Sequence, residues 1–275
     1  MNTSGKQLHI RLPFTVFSQL KVKCASDVIS MQDYVAKLIE TSIRGEDKHR
    51  HSGDEQKTTK SYILKLIRGF PLFHNVNENE LVKIARATIV LHFKKREIIA
   101  RENETINSFY IVQKGTVKIF KNSPSGKEFI IDFRGEGETI APNSFIEGIP
   151  NFASAMVLDD TSILSIRRDD FIRFIERNPA VKSRIADLDK KTIDDFYDKI
   201  IDLTTNKTEY RLTKVLNSLC IKFGKTLCFT HEEIAGISLT TVETTTRFFN
   251  QLKNRHVITI SRGKITILDV EKLRV

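Results

Sequence analysis

The chain lacks any long apolar run. None of its 275 residues falls in a stretch near the roughly 18 apolar residues that a membrane-spanning helix needs. The opening MNTSGKQLHIRLP has no apolar core of the kind a secretion signal carries, so a cytoplasmic protein with no membrane partner is expected. Cysteine is scarce: Cys24, Cys220 and Cys228 are scattered and form no CxxC pair. The four-ligand spacing of a zinc or iron–sulfur site is therefore missing. Buried or half-buried thiols are the plain reading and a thiol redox switch the alternative. A Walker loop, a nucleophile–base pair and a metal-ligand cluster are missing too. No catalytic residue, no metal and no enzyme activity are expected.

What is present is ordinary in kind and uneven in place. A 40% hydrophobic and 28% charged composition suits a globular protein, and 275 residues predict two or three domains. The net charge is +10. Residues 1–60 carry 10 Lys/Arg against 7 Asp/Glu, residues 61–205 carry 22 against 21, and residues 206–275 carry 12 against 6. A neutral middle and a basic end imply that the C-terminal module meets a polyanion.

The pattern along the chain divides it into five. Residues 1–44 form a first module, and 45–60 (GEDKHRHSGDEQKTTK) a polar linker without an apolar residue. Residues 61–178 open with a short helix, 62–67, an exposed turn at Phe70–Phe73 and a second helix over 78–87. Short Ile-, Val- and Phe-rich runs follow, over 89–93, 98–101, 108–113, 116–121, 129–133, 155–158 and 162–166, separated by turn residues. Such spacing predicts a small barrel or roll, closed by a helix over 168–177. A long helix over 179–205 begins at Pro179 and carries an apolar stripe through Ile185, Leu188, Phe196 and Ile200. Either it packs on its own domain or it forms the seam between two copies, the reading favoured because no further helix in this segment covers it.

Residues 206–275 hold three helical runs and a terminal hairpin. Thr230-His-Glu-Glu233 is a capping box. After a turn at 238–240, the run 241–253 turns Phe248, Phe249 and Leu252 inward and Glu243, Thr244, Thr246, Arg247 and Asn250 outward. The hairpin 257–261/264–268 is read as a wing. A helix fits the major groove with its first turns near base edges. There Arg pairs guanine, Glu accepts from cytosine, and Thr meets phosphate or a thymine methyl. The plain alternative is a solvated face on which Glu243 and Arg247 form an i,i+4 ion pair.

Residues 61–275 resemble the Crp–Fnr superfamily of bacterial regulators. The resemblance rests on Phe70-Pro-Leu-Phe73, Phe109-Tyr-Ile-Val112, Gly115-Thr-Val-Lys118 and the reading-helix run Thr241-Val-Glu-Thr-Thr-Thr-Arg247. It implies an α+β fold: a cyclic-nucleotide-binding-like jelly roll, a long dimerisation helix and a winged helix-turn-helix. It also implies a homodimer on a palindromic DNA operator with TTGA-like half-sites. Glu243, Thr246 and Arg247 would read bases, with Thr230, Thr241 and Thr244 as further DNA contacts; RNA polymerase would be a partner if the protein activates. Leu239 stands where the family has a turn glycine.

The sensor departs from the family pattern. Ala141-Pro142 replaces a Gly-Glu pair, and Ala153 precedes Ser154 where the phosphate-binding arginine belongs. Without that guanidinium a cyclic phosphate loses its bidentate partner, which argues against cyclic AMP. The cysteine cluster of oxygen-sensing relatives is absent. Haem would need an axial ligand such as His74 or His92. A small metabolic effector, touching Thr139, Asn143, Ser144 and Ser154, or no effector, fits better, and no cofactor is required.

In residues 6–12, Leu8, Ile10 and Leu12 alternate with Gln7, His9 and Arg11. A helix from Pro13 with Phe17, Leu20 and Cys24 inward follows, then a second capped by Ser30 and Asp33. This resembles a ribbon-helix-helix module in which Gln7, His9 and Arg11 face DNA and Leu8 and Ile10 pair across a dimer. A dimerisation or docking arm is the alternative. For the whole chain the rival to a regulator is an effector-binding or docking protein whose winged helix contacts protein.

Overall fold

The computed structural model describes residues 53–123, 126 and 128–273, together with Phe17, Leu20, Cys24 and residues 30–36. It divides into two units, Met1–Thr59 and Lys60–Val275. In the first, Phe17, Leu20 and Cys24 are helical, as are residues 31–36. The Ser30 hydroxyl accepts the Asp33 N–H at 3.1 Å and donates to its carboxylate at 2.6 Å, the local cap the sequence predicts. Phe17 is exposed, Leu20 half-buried and Cys24 buried, so burial grows along the stripe instead of covering all of it. The strand expected over 6–12, with Gln7, Leu8, His9, Ile10 and Arg11, lies outside the described residues.

Helix α1 (Gly53–Gly69) begins inside the stretch read as a linker, nine residues before the helix expected from Tyr62. Glu55, Gln56 and Lys57 sit in a helix at little cost, and Ile63 and Ile67, one turn apart, are buried with Leu64 and Leu66 packed partly beside them. The Phe70–Phe73 segment is not exposed. Pro71–Phe73 is a 3-10 turn with Phe70, Leu72 and Phe73 buried, and Phe73 packs 5.8 Å from Phe174. Helix α2 (Glu78–Ala87) is capped by Asn77, whose side chain accepts the Asn79 N–H at 2.9 Å.

Eight strands follow. In chain order they are β1 (Thr88–Phe93), β2 (Ile98–Ala100), β3 (Ser108–Lys114), β4 (Val117–Asn122), β5 (Glu128–Arg134), β6 (Thr139–Ile140), β7 (Ser154–Val157) and β8 (Thr161–Arg167). A short helix α3 (Pro142–Glu147) interrupts them. One antiparallel sheet runs β1-β8-β3-β6 and the other β2-β7-β4-β5. Side chains from both join one apolar core, in which Phe109 stacks on Phe171 at 3.7 Å. This is the expected roll, and helix α4 (Arg168–Arg177) closes it with Phe171, Phe174 and Ile175 buried. Strand β5 carries a bulge: Phe120 pairs with Ile130 and Ile119 with Asp132, leaving Ile131 extra.

Helix α5 (Pro179–Thr205) has two halves. Val181 and Ile185 are buried in the roll's own core. That corrects Ile185 as an interface residue: it is 1% exposed within its own chain, where α5 packs against α4 and α3. Beyond them Leu188, Ile193, Tyr197, Ile200 and Ile201 are exposed and Phe196 is half-buried.

The C-terminal module contains α6 (Thr208–Phe223), β9 (Thr226–Leu227), α7 (His231–Ile237), α8 (Val242–Asn254), β10 (Ile258–Ser261) and β11 (Lys264–Ile267). Its three strands pair in the order β10-β11-β9. Its core takes in Ile130 and Phe133 of β5 beside Leu216, Ile234, Phe249 and Ile265. The bulge at Ile131 is what lets two residues three apart serve the same core. The junction is tight, since a Cβ on Gly135 would lie 2.9 Å from the Phe223 ring. It is also charged: Lys222 pairs with Glu138 at 2.8 Å and Asp132 at 3.6 Å.

Candidate nucleic-acid interface

Two helices and the turn between them build the outward face. The Thr230 hydroxyl accepts the Glu233 N–H at 3.1 Å and the Glu233 carboxylate accepts the Thr230 N–H at 2.7 Å, so the capping box forms. At the turn Leu239 adopts φ +55°, the left-handed conformation that a glycine takes without strain. Arg211 reaches in from α6 and donates to the carbonyls of Ser238 and Leu239, both at 3.3 Å. The Thr241 hydroxyl then caps α8, accepting the Thr244 N–H at 3.1 Å and donating to the Thr244 hydroxyl at 2.9 Å.

Helix α8 presents two faces. Thr245, Phe248, Phe249 and Leu252 are buried. The opposite face, with Val242, Glu243, Thr246, Arg247, Asn250 and Asn254, lines a shallow open groove. Glu243 and Arg247 are exposed, and no ion pair joins them among the described residues. Their charges are therefore available to another molecule. Thr246 is half-buried, and its hydroxyl lies 2.9 Å from Nδ1 of His231.

The structure thus brings Glu243, Thr246 and Arg247 onto one surface. The hydroxyls of Thr230, Thr241 and Thr244 are engaged in helix caps, with Thr230 and Thr241 exposed and Thr244 half-buried. Sequence reasoning missed His231, which it took only as a capping-box position. It also treated Arg255, Arg262 and Lys264 as bulk charge. All three are exposed on the module, the last two at the tip of the β10–β11 hairpin. A basic residue on each side of Gly263 in the turn is the signal that marks Arg262 and Lys264.

A second concavity lies between the roll and α5. It is small, about 60 Å³. Thr139, Ser154, Ile131 and Arg134 line it from the roll and Leu188, Asp189 and Thr192 from the helix. Of the expected effector contacts, Thr139 is buried at its wall. Ser154 is half-buried there, its hydroxyl already accepting the Glu102 N–H at 3.0 Å. Ser144 is buried outside it, which corrects that expectation. It follows the lining residue Pro142 by two positions, about 200° round the helix. Nothing is described of the Asn143 side chain. His74 and His92 are exposed and do not line the cavity; His92 bonds Ser162 at 2.9 Å.

Asp189 is the unexpected lining residue. Its Oδ2 is buried with no hydrogen-bond partner among the described residues. Burial pushes its pKa up to about 6, against the pull of Arg134. Nothing in the sequence marks it, since an aspartate on a helix usually faces water.

Comparison with known proteins agrees with this geometry. Residues 90–178 match the cyclic nucleotide-binding domain and residues 210–275 the Crp-like helix-turn-helix domain. The chain is 25% identical over 218 residues to the cyclic AMP receptor protein of Thermus thermophilus, covering 75% of this chain and 96% of that one. It is 27% identical over 187 residues to the nitrogen fixation regulation protein FixK of Bradyrhizobium diazoefficiens, covering 65% and 78%. Among solved structures, FixK2 from Bradyrhizobium japonicum superposes with a TM-score of 0.62 at 18% identity, over 68% of this chain and 95% of that one. The c-di-GMP-responsive regulator CLP of Xanthomonas campestris gives 0.58 at 14%, over 70% and 99%. These two likenesses bear on fold alone. With a β-roll, a long helix and a capped helix-turn-helix whose outward face carries Glu243 and Arg247, the chain belongs to the Crp–Fnr superfamily of DNA-binding transcription regulators.

Proposed function

We propose that the protein acts as a homodimer on a palindromic operator with TTGA-like half-sites, read by Glu243, Thr246 and Arg247. The observation that carries this reading is the outward face of α8, where an exposed acid and an exposed guanidinium stand one helical turn apart and unpaired with each other. Exposed Ile193, Tyr197, Ile200 and Ile201 on α5 supply an apolar face for a second copy. The test compares a TTGA-containing palindrome with scrambled DNA at matched salt, because the phosphate contribution depends on salt. Arg247→Ala should lose about 1–3 kcal/mol on the palindrome and little on scrambled DNA. Equal losses on both would refute base reading.

The effector we infer is a small molecule other than a cyclic nucleotide. Ala153 offers no guanidinium to a phosphate, the Arg134 guanidinium is already paired with Asp132 and Glu138, and the Asp189 carboxyl opposes an anion. Saturable tightening of DNA binding by cyclic AMP would sink this part of the reading.

A further inference from the structure

Thr246 is bonded unlike other threonines in the helices. The hydroxyls of Thr192, Thr204, Thr205, Thr213 and Thr245 each donate to the carbonyl four residues back, between 2.7 and 3.2 Å. That is the bond a helical threonine makes when nothing else reaches it. The Thr246 hydroxyl instead meets Nδ1 of His231, the first residue of α7, at 2.9 Å. The imidazole is itself held. It stands edge-on to Phe249, with centroids 4.9 Å apart and planes at 85°, and the capping box on Thr230 and Glu233 fixes the backbone beside it. Thr246 and Phe249, three apart on α8, are neighbours where its outward face meets its buried one, so the ring rests on that helix at two points. Burial holds the His231 pKa below its usual value, and the N-terminal end of a helix also disfavours a cation.

We propose that His231 is a positioning residue for base reading: by engaging the Thr246 hydroxyl it fixes that side chain in one rotamer and leaves the methyl group to be offered to DNA. This rests on α8 entering the major groove, as proposed above. A threonine methyl packs against the C5 methyl of thymine. Position 246 therefore selects thymine by apolar contact, while Glu243 and Arg247 work by hydrogen bonds.

The test uses the full chain. A pool of duplexes randomised across two half-sites is selected with the unaltered protein. Affinities are then measured at fixed salt on the selected site and its single-base variants. Thr246→Val should keep the thymine preference, and Thr246→Ser should lower it at one base pair per half-site by about fivefold or more, the weight of one base contact. His231→Ala should lower the preference at that base pair alone, and His231→Asn, whose amide occupies the place of Nδ1, should restore it. In the Thr246→Val background His231→Ala should change nothing, because valine holds its rotamer without an anchor.

A loss spread over every base pair in His231→Ala overturns the positioning role, as does no rescue by His231→Asn. So does no loss in His231→Ala while Thr246→Ser still relaxes its base pair; base reading itself then stands. Thymine preference lost in Thr246→Val shows the hydroxyl to be the reading group and also overturns the proposal. If Thr246→Ser relaxes no base pair, or selection returns no preferred sequence, base reading at this position falls and the proposal falls with it.

Discussion

Leu239 sits at φ +55° in the turn that sets the angle between α7 and α8. For a residue with a Cβ that conformation costs about 1–2 kcal/mol, and Arg211, bonded to the carbonyls on either side of the strained bond, holds the turn there. Leu239→Gly should therefore stabilise the protein by about 1 kcal/mol, raising the thermal midpoint by about 2–4 °C at this size. DNA affinity should be unchanged, since the turn is already in the conformation glycine prefers. A lowered midpoint in a thermal melt would mean that the half-buried leucine side chain packs for more than its backbone strain costs. At this scale the sequence was legible where a residue type breaks a steric rule. Leu239 stands out because a turn needs a positive φ, and Thr230 and Thr241 because hydroxyls cap helices. His231 and Asp189 were not legible. Their roles depend on which way a ring or carboxyl points across 15 residues or more of intervening chain, and spacing carries no such information.

Helix α5 shows the same limit one level up. Its period is plain in the sequence, but period alone does not say what covers each part of the stripe. Ile185 belongs to its own roll, while Ile193, Tyr197, Ile200 and Ile201 are exposed and form the seam proposed above. Ile200 is 57% exposed, so Ile200→Asp should alter folding stability within about 0.5 kcal/mol, as for an ordinary surface site. It should nevertheless convert a dimer into a monomer, because a charge would be buried at the seam without a partner. Sedimentation equilibrium reads the mass directly; a dimer that survives places the seam elsewhere. Elements shorter than two periods escaped. The two-residue strands β6 and β9 have no alternation to detect, and α3 is a helix of barely more than one turn. The ribbon expected at Leu8, Ile10 and Leu12 rests on alternation alone.

Across the whole of residues 60–275 the two cores are not separate. Phe133 belongs to a strand of the roll yet is fully buried in the DNA-binding module, 4.5 Å from Phe229. Phe133→Ala should cost about 3–5 kcal/mol. The loss should fall on the docking of the module, so that calorimetry resolves two unfolding steps where the parent unfolds in one. A single step shifted downward would mean that the module depends on the roll through other contacts. No sequence pattern announced this sharing, because Ile130 and Phe133, three apart in a strand, face opposite ways until the bulge at Ile131 is seen. That extra residue makes β5 a common wall. On one side Ile131 borders the small cavity, and on the other Ile130 and Phe133 support the helix that precedes the reading helix. Whatever moves the first side displaces the floor under the second. If the cavity takes an effector, as proposed above, β5 gives its signal a path one strand thick, and a substitution in that strand should detune the response while leaving both binding surfaces intact.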